Sequence, residues 1–487
     1  MITVKSNVLR RQKNFWNGCV FHPTDAVEDS WGKRILDRMS QDKAMKMIRI
    51  YTMFEDIVYL DESGNLQYDF RVNDLRLDYL VEKGFDIMLA YATVPDCISI
   101  PGAKTSNSKN KTRYKGKLFN TMPPKDYALW QEVCYQYTKH IVERYGIETV
   151  SRWYLHCFNE PDISGFFLAD EEPQNYQARL DAYCPLYYHF EKGLRRVSEK
   201  LHIGGPALAW RLPFLGGFLD YVKENDLRLD YIALHHYGTS PMKLNSGVEE
   251  IRVENNLRKH EGYLNVIREH GFGATEVVVD EWGASSSGFY NREECPQLMF
   301  REHEVYSAYF AKMIHHYLQG DLIPAKLMIC LSGQHEMTED FSGFRNFFTL
   351  NFIAKPIYNA FILGYKLGEQ LLEAQCDNEN VYVIPTKTET GYAVMVTYSD
   401  DTFTETLPTI EETLTLPEAA DKLTVWCIDK ETTNPYRLYQ RLGIKTPDAA
   451  QIAALQEEGR MKPIATLSGS QVTLKLTPNC TYLITAE

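Results

Sequence analysis

The chain has 487 residues, 44% hydrophobic and 24% charged, an ordinary soluble composition with enough length for a large α/β domain and a smaller second one. A formal net charge of −13 and a pI of about 5.6 argue against nucleic acid as a partner. No apolar run reaches the roughly 18 residues of a membrane span, and residues 1–11 lack the basic-apolar-small order of a secretory leader.

Taken in chain order, residues 1–14 read as an extra strand of the C-terminal domain, and from residue 15 short apolar runs alternate with helical patterns. The runs are Phe15–Phe21, Met45–Tyr51, Asp86–Thr93, Trp153–Asn159, Ile203–Trp210, Tyr231–Tyr237, Glu276–Glu281 and Lys326–Ser332. Their near-continuous hydrophobicity suits parallel strands buried on both faces. Between them, Trp130, Val133, Cys134, Tyr137, Ile141 and Tyr145 recur at helical spacing before Gly146, and Val305, Tyr309, Met313 and Tyr317 do so before Gly320. Eight strand–helix units predict an α/β fold, a (β/α)8 TIM barrel over residues 15–365. A doubly wound sheet would carry a Gly-rich phosphate turn after its first strand, and residues 17–23 offer none. After the third run, residues 101–125 hold Lys104, Lys109, Lys111, Arg113, Lys115, Lys117 and Lys125 with no acid. Such a loop overhangs the active face of a barrel, either as a solvated segment or as a contact for an acidic or extended substrate.

From about residue 375 the period changes to two: Tyr392, Val394, Val396 and Tyr398 alternate, as do Val472, Leu474 and Leu476. Residues 366–487 therefore read as a C-terminal β-sandwich accessory domain with one inserted helix, opened by Thr446, Pro447 and Asp448 and running to Glu458. The ten cysteines are scattered without a C-x-x-C pair, several inside apolar patterns, which reads as reduced thiols and a cytoplasmic compartment.

Two carboxylates end runs of this kind: Glu160 closes the fourth and Glu281 the seventh. A pair of acids at separate strand tips of a barrel is the equipment for cleaving a glycosidic bond, one acid holding a proton and one ionised. Glu160 lies beside Phe158, Asn159 and Pro161 at the end of an apolar strand, where partial desolvation raises a carboxyl pKa, as a general acid requires. Glu281 needs donors and a cation to stay ionised, and Arg49, in the second run, is the expected cation. Strand alternation predicts that Asp280 points out of the barrel. It also puts His235 and Tyr237 on one face and His236 on the other, with Tyr237 bonding the nucleophile and His235 near the acid/base. A His-His-Tyr run is also compatible with a metal site, but no third ligand stands at ligand spacing, so no metal is expected.

Several stretches resemble glycoside hydrolase family 39, the β-xylosidase and α-L-iduronidase family of retaining barrel glycosidases. They are residues 123–127, 141–146, 153–154 and 159–161; Gly204 to Pro206; Asp230 to Ile232 with His235 and Tyr237; Val279 to Trp282; and, in the accessory domain, residues 428–429, 434–437, 443 and 446–452. The resemblance implies Glu160 as acid/base, Glu281 as nucleophile and Asn159 as the partner of the sugar 2-hydroxyl. It further implies support or sugar contacts from Arg49, His235 and Tyr237, and a sugar-contacting acid at Glu336. Tyr51, His22 and Trp282, each at or beside a strand end, complete the expected contacts. Two departures from the family's xylosidases imply a reshaped sugar pocket: Tyr51 where they carry His, and an eighth run, Leu327–Ser332, without their Trp.

The expected function is thus a retaining exo-glycosidase, β-xylosidase-like, acting on small oligosaccharides or glycosides by double displacement, with no cofactor. The alternatives are action on another sugar such as a uronic acid, arabinose, galactose or glucose, or a non-hydrolytic carbohydrate-binding barrel. No nucleic-acid or membrane partner is expected, and the accessory sheet offers a packing surface for a homo-oligomer.

Overall fold

A computed structural model describes residues 1–21, 27, 29–105, 118–286, 288, 290–331, 337–402 and 406–487. His22, Glu336 and residues 106–117 of the basic loop lie outside the described residues.

Eight parallel strands close on themselves in chain order: Gly18–Phe21, Met47–Tyr51, Asp86–Tyr91, Tyr154–Cys157, His202–Leu208, Tyr231–Thr239, Glu276–Ser285 and Lys326–Leu331. The eighth pairs with the first (Ile329 opposite Cys19), which leaves the barrel no free edge. Most of these residues are buried because one face packs the barrel interior and the other packs helices. The interior is filled, not hollow: Val20, Met47, Met88, Tyr231, Ala233, Val278 and Met328 form one apolar cluster. Gly204 is required there, since a Cβ at that position would overlap the Tyr231 ring.

Outside the barrel, helices such as Tyr127–Tyr145 and Glu304–Gln319 bury the apolar faces read from their spacing. Gly146, just past the first of these, takes φ +79°, the left-handed cap that a side chain resists. No described helix is long and apolar enough to cross a membrane.

The accessory unit is one seven-stranded sheet that curls over its own core of Val394, Val396, Leu414, Val472 and Leu474. The N-terminal strand Ile2–Arg11 belongs to it, antiparallel to Gln370–Cys376 and parallel to the long strand Ile410–Ile428. Two helices, not one, interrupt it. Ala449–Glu458 carries a complete capping box between Asp448 and Gln451; Pro435–Arg441 is a single short stretch capped by Asn434. An Asn-Pro step that opens a helix of only seven residues carries the same local signal as a turn, so periodicity did not reveal it. Buried charges join the unit to the barrel: Glu304 accepts from Arg437 (2.6 Å) and Asn434 (2.7 Å), and Lys312 pairs with Asp401 (2.8 Å).

Candidate active site

Above the apolar filling of the barrel lies a polar layer made by inward side chains from several strands. Arg49 of the second strand sits at its centre and is fully buried. Its Nη1 donates to Glu281 Oε1 (2.8 Å), its Nη2 to Asn159 Oδ1 (2.7 Å), and its Nε to His156 Nε2 (3.1 Å). The same Nη2 lies 3.1 Å from Asp280 Oδ2. One planar cation thereby fixes groups from the fourth and seventh strands together, which a lysine cannot do.

The chain leaves the fourth strand through a kink in which Phe158 and Glu160 both take positive φ (64° and 46°). Such left-handed turns at non-glycine residues are uncommon, cost energy and gather at functional sites. Backbone bonds from Phe158 to Tyr91 (3.1 Å) and from Glu160 to Ala207 (2.9 Å) hold the turn between the neighbouring strands. The result turns the Glu160 carboxyl over the barrel mouth, its side chain 14% exposed.

On the sixth strand alternation holds. His235 Nδ1 meets Glu160 Oε1 at 2.8 Å, and the Tyr237 hydroxyl donates to Glu281 Oε2 at 2.6 Å. His236 faces the helices, bonded to Asn256 (2.9 Å) and Tyr317 (3.0 Å).

The seventh strand departs from the expected alternation. Leu234 stands opposite Val279 but His235 opposite Glu281, so Asp280 is an extra residue; the eighth strand shows the same shift, from Val279–Leu327 to Trp282–Ile329. This is a β-bulge, and it corrects the expectation for Asp280. Asp280 does not leave the barrel: it is fully buried, 3.1 Å from Arg49, 3.5 Å from His235 Nε2 and 3.7 Å from His156 Nε2. The bulge turns two successive acids inward and sends Trp282 outward instead. Trp282 is fully buried against helix Glu304–Gln319, near Phe310 and Tyr306, and does not reach the cleft.

The electrostatics follow from this packing. Burial disfavours the His235 cation, but the charges of Glu281 and Asp280, with the bonds to Asp280 and Glu160, outweigh it and hold its pKa up at about 10. His156, buried and beside Arg49, is pushed down to about 3 and stays neutral, accepting at Nε2. Burial pushes Asp280 upward, but Arg49 and His235 overcome that and keep it below the usual carboxylate range. Glu160 is raised, chiefly by burial, against the opposing pull of His235.

One oxygen each of Glu160 and Glu281 and one ring nitrogen of His235 lie within 4.8 Å of one another. That spacing also suits a metal triad. The charges of Glu281 and Asp280, however, favour the His235 cation, a form with no ring lone pair to offer a metal. Glu160, Glu281, Tyr237 and Arg345 line a cavity of about 410 Å³ whose rim includes Ile163, Phe166, Trp210 and Tyr290. Asn159 is buried, and its amide N–H groups have no partner among the described residues. Tyr51 is buried among Met53, Ala90 and Phe119, its ring centroid 5.5 Å from the Arg49 guanidinium.

The family model of glycosyl hydrolases family 39 matches residues 1–469. The chain belongs to that family. A β-xylosidase of Caldicellulosiruptor saccharolyticus is 25% identical over 392 residues, 76% of this chain and 72% of its own length. Human α-L-iduronidase is 25% identical over 213 residues, 40% of this chain and 28% of its own. Among solved structures, a monomeric β-xylosidase from Caulobacter crescentus superposes with TM-score 0.80 over 99% of this chain and 98% of its own, at 19% identity, a likeness of fold.

As a family 39 glycoside hydrolase the chain acts on carbohydrate, and several residues in or beneath its cleft were missed in the sequence. His156 stands four residues before Glu160 on the fourth strand, where alternation along the strand was sufficient to find it. Cys330, on the eighth strand, is buried beside Tyr237, and burial pushes its thiol up to about 12. Arg345 follows the eighth strand in a segment without periodicity, so nothing local marks it; its guanidinium lies 5.0 Å from the Tyr237 ring centroid. Trp210 closed the fifth predicted run and was read as strand, but the strand stops at Leu208 and the indole is 54% exposed.

Proposed function

We propose that this chain is a retaining exo-glycosidase of the β-xylosidase type, with Glu281 as nucleophile and Glu160 as acid/base. The observation that carries the reading is the gap of at most 4.8 Å between oxygens of the two carboxylates. Retaining enzymes hold their carboxyl groups about 5–5.5 Å apart, whereas inverting ones leave about 6.5–9.5 Å for a water.

Glu281 attacks the anomeric carbon and the glycosidic C–O bond breaks, giving a glycosyl ester while the Glu160 proton passes to the departing oxygen. Burial raises the Glu160 pKa, which favours its protonated form before the reaction. Once it has left, the His235 cation, 2.8 Å from Oε1, balances the new carboxylate. Glu160 then takes a proton from water, whose oxygen attacks the anomeric carbon and frees Glu281. Tyr237 and Arg49 hold one oxygen each of Glu281, which fixes the attacking atom's direction. The spare Asn159 amide is the donor for the sugar 2-hydroxyl. Xylose as the glycone is supported by the curated relatives named β-xylosidase that align with about three quarters of the chain. A cytoplasmic site of action is supported by ten free cysteines, eight of them buried.

Azide rescue tests the assignment. Glu281→Ala with azide should form a glycosyl azide of inverted configuration. Glu160→Ala should cleave activated aryl glycosides far better than alkyl ones. Wild-type turnover in both variants would remove it.

A second glycone, a uronic acid, is favoured by one observation: the Arg345 guanidinium in the cavity wall. Nitrophenyl β-xyloside compared with nitrophenyl uronides decides between the two.

A further inference from the structure

We infer that Trp210 is the platform on which the ring of the departing group stacks during the first half of the reaction. The inference rests on Glu160 being the acid/base, because whatever leaves must sit on the side of the proton donor. That side of the cavity is apolar: Ile163 and Phe166 come from the segment that carries Glu160, and Trp210 from the loop after the fifth strand.

A tryptophan 54% exposed at the rim of a sugar-binding cavity is a large apolar surface left uncovered beside the reacting bond. The structure holds it firmly in place. Its backbone N–H donates to Asp162 Oδ2 at 2.9 Å, and the same fully buried carboxyl accepts from Ala209 (2.8 Å) and Arg211 (2.9 Å). Asp162 stands two residues past Glu160, so one carboxylate ties the acid/base segment to the loop that presents the indole. The Arg211 guanidinium lies 4.3 Å from the Trp210 ring centroid and is itself bonded to the carbonyls of Asp162 (3.1 Å) and Pro173 (2.7 Å). A cation stacked and anchored in this way props the ring from one side and leaves the other for a ligand. An aromatic face recognises a sugar or aryl ring by its apolar edge without requiring particular hydroxyls. Trp210 is therefore assigned a tolerant leaving-group site, where a pyranose and an aryl ring bind alike.

The test compares substrates that share the glycone selected by a nitrophenyl panel and differ only in what departs: a glycosyl fluoride, a nitrophenyl glycoside and a disaccharide. Trp210→Ala should lose about tenfold more in kcat/KM on the two ringed leaving groups than on the fluoride, and Trp210→Phe should recover most of that difference. Transfer of the glycosyl group to an added sugar acceptor should fall in parallel, since the acceptor occupies the same site. An equal loss on all three substrates, or no loss, overturns the platform while fluoride turnover leaves the Glu160 and Glu281 assignment standing. A wild-type protein that cleaves none of the three overturns that assignment, and the platform with it.

Discussion

The sixth and seventh barrel strands lie side by side and end at the same depth, yet they supply the site by different means. The sixth keeps its alternation, sending His235 and Tyr237 inward and His236 to the helices. The seventh breaks it, and Asp280 and Glu281 both enter the barrel. Alternation can place only every second side chain of a strand at the mouth. A bulge places two in succession, at the cost of a ladder defect. Here the second acid has a definite use: Asp280 lies between Arg49, His156 and His235 and, after Glu281, adds to the charge that keeps His235 protonated under Glu160. The regular strand positions donors; the bulged strand adds the negative charge they require.

The largest expected effect separates the two bulge residues from each other. Glu281→Ala should bring turnover to background and regain it with azide. Asp280→Ala should not respond to azide, because the side chain it removes does not meet the anomeric carbon. Asp280→Asn, which keeps the shape and removes the charge, takes from Arg49 and His235 one of their two buried counter-charges and leaves only Glu281. It should cost about 3–5 kcal/mol in urea unfolding and narrow the pH–rate profile on its alkaline side.

Tyr237→Phe on the regular strand is expected to be milder. Loss of a hydrogen bond to an ionised carboxylate is worth about 1.5–3 kcal/mol, or roughly 10- to 150-fold in kcat/KM, with little change in urea midpoint. His235 gives a signature in pH. Its folded pKa of about 10 lies above the ordinary 6.5. The stability it contributes is therefore complete below pH 6.5 and lost as pH rises toward 10. Unfolding followed across that window should show the decline in the wild type and a flatter profile in His235→Asn. The smallest catalytic effect belongs to His236. Its replacement by Ala should destabilise the fold by about 1–3 kcal/mol, through Asn256 and Tyr317, with kcat/KM changed by less than about twofold.

The eight barrel strands were legible because each is a continuous apolar run, and the helices because their apolar spacing is regular; both signals are local. The Glu160 turn was legible for a similar reason: an acid between Asn159 and Pro161 at the end of a buried strand marks a chain reversal. The bulge was not. Nothing in Val279, Asp280, Glu281 and Trp282 says that both neighbouring acids face inward, because their shared partner is Arg49, 280 − 49 = 231 residues before Asp280 in the sequence. Trp282 was misplaced for a different reason: it stands beside the end of the predicted run, but one step past an inward Glu281, alternation turns it to the helices. Arg345 escaped notice because its segment carries no period, and the Pro435–Arg441 helix because its Asn-Pro cap reads equally as a turn.

The central claim, that Glu281 and not its neighbour or its partner attacks the sugar, is tested most directly by trapping the intermediate. A 2-deoxy-2-fluoro glycosyl fluoride of the accepted glycone should inactivate the protein with one glycosyl unit bound. Digestion and mass spectrometry should place that unit on the Glu281 side chain, with none on Asp280. A label found on Asp280 or Glu160, or inactivation with no covalent sugar, would contradict the account.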